Sequence, residues 1–183
     1  MTGILVVGGP AELAAAIGGT SHCPLTTRTA VCAELASASG IDRAVIVALP
    51  KRGETLGQTS PEAFARLAGA WLTVPAGAVK TLAALGQPLR ITLVFPASAC
   101  MPDHRDGARS VVAAGLAMLV EVSSALPGLA VNGVAVADDV PLEEVAAVVR
   151  MTLAGDLVAL NGATIRLDGG RDAVMAAETR AED

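Results

Sequence analysis

The residues of this chain that could do chemistry are few. Asp103-His104-Arg105-Asp106 follows Ser98 by a few positions. A serine, a histidine and an aspartate can serve as nucleophile, base and orienting group. Ser98 lacks the G-x-S-x-G setting that exposes a nucleophile on a strand-to-helix turn. A charged loop before a helix, with Asp103 or Asp106 as its N-cap, accounts for the same residues. Gly8-Gly9-Pro10 follows an apolar run and offers backbone N–H groups to an anion, or simply a turn. His22, Cys23 and Cys32 match no zinc spacing, so no metal is expected. The three cysteines are odd in number and irregularly spaced. They are read as free thiols of a reducing compartment, and the chain as cytoplasmic.

The elements that must carry these residues alternate. Gly3–Val7, Ile41–Leu49, Leu89–Phe95, Leu129–Ala137 and Thr164–Leu167 are apolar, mostly β-branched runs bounded by turn residues, and read as buried strands. Ser21–Leu25 is a brief strand candidate. Between them lie helix patterns: Ala11–Gly18, Thr27–Ser39, a long one from Ser60 to Leu85 with Pro75 as an expected kink, Ala108–Leu126 and Pro141–Leu153. Glu143 and Glu144 sit in the first turn of the last, where the helix dipole favours acids. This alternation predicts an α/β fold, a doubly wound parallel sheet, as one domain over residues 1–170. Residues 171–183 form a charged, Ala-rich tail.

Composition agrees. The chain has 183 residues, 52% of them hydrophobic and only 2% aromatic. Such a core must be aliphatic, which suits a parallel sheet under Ala-rich helices. The net charge is −5 and the basic residues are scattered, which argues against nucleic acid. No uninterrupted apolar run reaches membrane-spanning length, so no membrane partner is expected.

Five segments, in order, resemble the short-chain dehydrogenase/reductase family. Gly3–Gly18 is similar to its first strand and glycine turn. Ser39-Gly-Ile-Asp-Arg-Ala-Val-Ile-Val-Ala resembles its fourth strand. Pro61-Glu-Ala-Phe-Ala-Arg with Trp71-Leu-Thr resembles its fifth helix. Gly128-Leu-Ala-Val-Asn-Gly-Val-Ala resembles "G-I-R-V-N-x-V-A", and Asn161–Gly170 the closing strand. The resemblance implies a Rossmann-like fold, with the second strand and its helix and the substrate lid missing.

It also implies what is lost. The family's glycine turn, T-G-x-x-x-G-x-G, is degenerate here: Gly8 and Gly9 remain, but Glu12 and Ala14 stand where the later glycines would. A carboxylate about 4 Å from a diphosphate costs on the order of 4 kcal/mol, so no cofactor is expected. The catalytic tetrad aligns with Trp71, Pro96, Asp106 and Ser110, and Phe95 borders the serine position. The chain contains no tyrosine, and the family's general acid is a tyrosine hydroxyl tuned by a lysine.

The family's assembly helices survive. Ala108–Leu126 is apolar nearly all round, and Val111, Leu116, Met118, Leu119 and Val122 are read as interface residues. The expected function is a non-catalytic subunit (a pseudoenzyme). It would form a homo- or hetero-oligomer, preferably with an intact homologue in an oxidoreductase complex. The alternatives are a cofactor-independent cyclase, dehydratase or hydrolase on the relic fold, or an NAD(P)-dependent oxidoreductase with displaced catalytic residues.

Overall fold

A computed structural model describes residues 3–25, 40–51, 55–100, 106–154 and 160–169. Six parallel strands form one sheet: β1 Gly3–Val7, β2 Ser21–Cys23, β3 Ile41–Val47, β4 Leu89–Pro96, β5 Leu129–Val136 and β6 Thr164–Leu167. Their order is β2-β1-β3-β4-β5-β6. The helices are α1 Ala11–Ile17, α2 Pro61–Ala68, α3 Val74–Ala83, α4 Gly107–Ser124 and α5 Leu142–Leu153. The doubly wound parallel sheet expected from the alternation is the observed architecture. The expected helix Thr27–Ser39, the His104 loop and the tail lie outside the described residues.

Each face of the sheet is covered. On one, Leu5, Ile46, Ile91 and Leu93 pack against α3 and α4 through Val79, Leu82, Val112 and Leu116. On the other, Val6, Val45, Val94 and Val134 pack against α1 and α5 through Leu13, Ile17, Val145 and Val149. Central strands buried on both faces read as continuous apolar runs, which is why the sequence marks them clearly. A buried polar contact crosses the second layer between Thr92 and Thr152, whose hydroxyls lie 2.8 Å apart.

Two features refine the sequence reading. First, the slot beside β1, where the sequence suggested a missing second strand, is filled: β2 pairs with β1, Val7 opposite Cys23. In the usual dinucleotide-binding order a second and a third strand lie beyond the first. Here the described residues supply one of these. Second, the long helix expected over 60–85 is broken by a π-helical segment, Gly69–Thr73, between α2 and α3. Pro75, in the first turn of α3, can donate no hydrogen bond backwards, and the wider turn just before it absorbs that loss.

The connection expected to lack a lid is short. Residues 137–141 link β5 to α5 through a turn in which Val140 N donates to Ala137 O at 3.2 Å. The closing motif is a clasp. Asn161 Oδ1 accepts from Val131 N at 2.9 Å, and Asn132 Nδ2 donates to Leu160 O at 3.0 Å. These asparagines position β6 beside β5 and are fully spent in doing so.

Candidate functional site

The carboxyl ends of the strands form the crevice where ligands of such sheets bind, at the switch point between β1 and β3. The glycine turn enters it first. Gly8 has φ 80° and Gly9 φ 73°, left-handed values that favour glycine. A Cβ on Gly8 would lie 2.5 Å from Val47 O, and one on Gly9 2.9 Å from Val47 Cγ1. Both glycines are thus required by the approach of β3, without any ligand. Gly8 N is already used, donating to Cys23 O at 2.8 Å. Ala14 is buried beneath α1, while Glu12 is exposed in its first turn.

The four tetrad-equivalent positions carry no acid or base of the required kind. Trp71 lies half-buried on the π-helical segment and packs against the core. Phe95 and Pro96 are buried at the end of β4, and the Phe95 ring lies over Gly133, where an added Cβ would be 2.9 Å from Cε1. Ser98 lies beyond them in a short 3₁₀ turn, Ala97–Ala99. Its hydroxyl is buried and has no hydrogen-bond partner among the described residues. Asp106 is the N-cap of α4, one of the two positions expected for it, though its side chain makes no cap hydrogen bond. Ser110 donates to Asp106 O at 3.1 Å.

Asp106 is occupied instead by a residue that spacing alone did not single out. Arg109 is 6% exposed. Its Nη1 donates to Asp106 Oδ2 at 3.2 Å and to Asp138 Oδ2 at 3.0 Å, and its Nη2 to Asp138 Oδ1. The bidentate pair bolts the start of α4 to the end of β5. Burial pulls the guanidinium pKa down, but Asp138 and then Asp106 outweigh that and hold it above its ordinary value. A group so firmly protonated cannot act as a general acid near neutrality. The signal available in the sequence was an i,i+3 Asp–Arg pair at the start of an apolar helix. Asp138 is 29 residues away and carries no such signal.

Arg109, Lys51 and Asp138 line one side of a cavity of about 290 Å³ in this crevice, whose other walls include Leu13, Leu49 and Val145. Among its lining residues no histidine, cysteine, serine or tyrosine is present. Its volume lies at the small end for a ligand pocket. No group of three or more metal-ligating side chains occurs among the described residues.

The interface residues divide. Val111, Met118 and Val122 are 48%, 58% and 62% exposed, so they form an outward apolar stripe on α4. Leu116 is a correction. It is fully buried against the sheet, because it sits on the opposite side of the helix from Met118 and Val122. Leu119 is half-buried and packs on the core. By length and hydropathy α4 could span a membrane, but its inner face is part of the core.

No protein-family model matches the chain, and no curated protein sequence does. Its fold has close counterparts among solved structures. A variant of a Serratia marcescens short-chain dehydrogenase/reductase superposes with a TM-score of 0.80 at 16% identity, covering 92% of this chain and 96% of that one. A Mycobacterium smegmatis short-chain dehydrogenase gives 0.76 at 17% identity, covering 90% and 91%. Ligand-free Thermoplasma acidophilum aldohexose dehydrogenase gives 0.77 at 14%, covering 92% and 94%. The chain has the fold of the short-chain dehydrogenases.

Proposed function

We propose that this chain is a non-catalytic subunit on a dehydrogenase fold. It assembles through α4 with a second chain in the cytoplasm, preferably an intact short-chain dehydrogenase/reductase homologue. The observation that carries the reading is the α4 stripe of Val111, Met118 and Val122, each about half exposed or more. Three large apolar side chains in line on one helix are unusual on a surface left in water. The reading is also supported by the tetrad-equivalent positions, where Trp71, Pro96, a salt-bridged Asp106 and a back-bonded Ser110 supply no tyrosine–lysine pair.

Two experiments test the loss of chemistry. Calorimetric titration with oxidised and reduced NAD and NADP should give no binding tighter than about 1 mM, about −4 kcal/mol. The packing of Val47 against Gly8 and Gly9 and the exposed Glu12 motivate this. A micromolar dissociation constant would overturn it. Installing the missing pair as Asp106→Tyr with Ser110→Lys should yield no reductase turnover, since the nicotinamide supplies the hydride and the protein only positions it. Turnover in that variant, with its fold verified by circular dichroism, would mean that a cofactor site persists. Assembly itself is tested by co-purification from the native source with a tagged chain. Recovery of the tagged chain as a lone monomer counts against the proposal.

A further inference from the structure

The outward face of α4 is symmetric about its own middle. At about 3.6 residues per turn, Val111, Gly115, Met118 and Val122 fall within roughly 60° of one another around the helix. The two valines and the methionine are exposed, and Gly115 is half-buried between them. Val111 and Val122 lie equally far from the point midway between Leu116 and Ala117, and so do Gly115 and Met118. The outer pair is valine with valine. The inner pair is the smallest residue with a long, adaptable one. An isologous contact requires such a pattern, because each residue must fit the residue at the position related to it by the two-fold axis. Leu72 of the π-helical segment packs beside Gly115, where an added Cβ would lie 3.1 Å from Leu72 Cδ2. Leu72 is half-buried and continues the apolar surface from α4 onto the neighbouring helix.

We propose that in the isolated protein this stripe pairs with a second copy of itself, antiparallel about a two-fold axis between residues 116 and 117. Met118 of each chain then seats over Gly115 of the other, and Val111 meets Val122. This pairing specifies the partner and register of the assembly through α4 proposed above, and it rests on that reading. Charge favours the antiparallel sense. Glu121 is exposed and is the only charged residue of α4 besides the buried Arg109. About the axis the two copies of Glu121 stand about 14 Å apart along the helices. A parallel pairing would set Glu121 beside Glu121, where like charges repel, and Met118 against Met118 with Gly115 facing Gly115, which leaves a gap.

The test is the mass of the full chain alone, followed by the register of the pair. Size-exclusion chromatography with light scattering should give twice the 18.2 kDa of one chain. For the register, Val111→Cys and Val122→Cys are made as separate chains in a Cys32→Ser, Cys100→Ser background, with Cys23 left buried. Mixed and treated with a short bismaleimide, they should give a cross-linked dimer containing one chain of each kind, identified by mass spectrometry of the joined peptides. Either chain alone should cross-link at least about tenfold less, because the two copies of residue 111, or of residue 122, stand about 17 Å apart along the helices. Cross-linking as efficient in either chain alone as in the mixture overturns the antiparallel register. A monomer at about 0.1 mM overturns the self-pairing. If that monomer still co-purifies with a dehydrogenase, the self-pairing fails while the proposed function stands; if it co-purifies with nothing, both fail.

Discussion

Arg109→Leu is expected to destabilise the fold by about 3–5 kcal/mol, because it breaks a buried ion pair by removing the cation. Asp106 has a side chain only 6% exposed, and Arg109 Nη1 lies 3.2 Å from its Oδ2. Asp138, at 39%, can recover water when the bridge is lost, so the penalty falls chiefly on Asp106. The double replacement Arg109→Leu with Asp106→Leu should return most of the loss, since a buried ion pair exchanged for apolar groups is often neutral. Urea denaturation at one fixed protein concentration measures both, which matters if the chain is an oligomer. A loss below about 1 kcal/mol for Arg109→Leu would show that the Asp106–Arg109–Asp138 bridge is not what holds α4 to β5.

The second large effect concerns assembly. Val122→Asp places a charge in the middle of the exposed stripe of α4. If that stripe is an interface, an unpaired buried charge costs about 3–5 kcal/mol, or about two to three and a half orders of magnitude in association. Size-exclusion chromatography with light scattering should show the variant dissociating or aggregating, and a co-expressed partner dehydrogenase losing activity. Ala147→Asp, on the exposed side of α5, is the control and should leave assembly intact. A wild-type chain that is already a well-behaved monomer, with no dehydrogenase bound, would end the subunit reading.

Much of the architecture is legible in the sequence because its strands are buried on both faces. Beyond the charged residues at their amino ends, Ile41–Val47 and Leu89–Pro96 run apolar and rich in β-branched residues up to a turn, a composition that favours strand over helix. What is not legible depends on contacts between distant positions. β2 is only three residues long, so nothing in its sequence states which strand it joins. On α4 apolar residues occur all round, and periodicity alone could not separate Leu116, which faces the sheet, from Met118, which faces out. The π-helical turn arises where Pro75 meets the preceding helix, a conflict that sequence marks only as a kink. The bolt between Arg109 and Asp138 needed the sheet to bring the first turn of α4 beside the loop after β5, and neither residue announces the other.

The outline of the sheet bears on how so aliphatic a chain stays dispersed. Its central strands run to seven and eight residues, but it tapers to three at β2 and four at β6. An edge strand offers its unpaired backbone to any extended chain that passes, and the longer and flatter it is the better it templates growth. Here the longest apolar strands are sealed in the interior of the ladder. The rims present only a few rungs each, and on β6 the charged Arg166 stands exposed among them. Fibrillar growth from the folded state is thereby disfavoured at these margins.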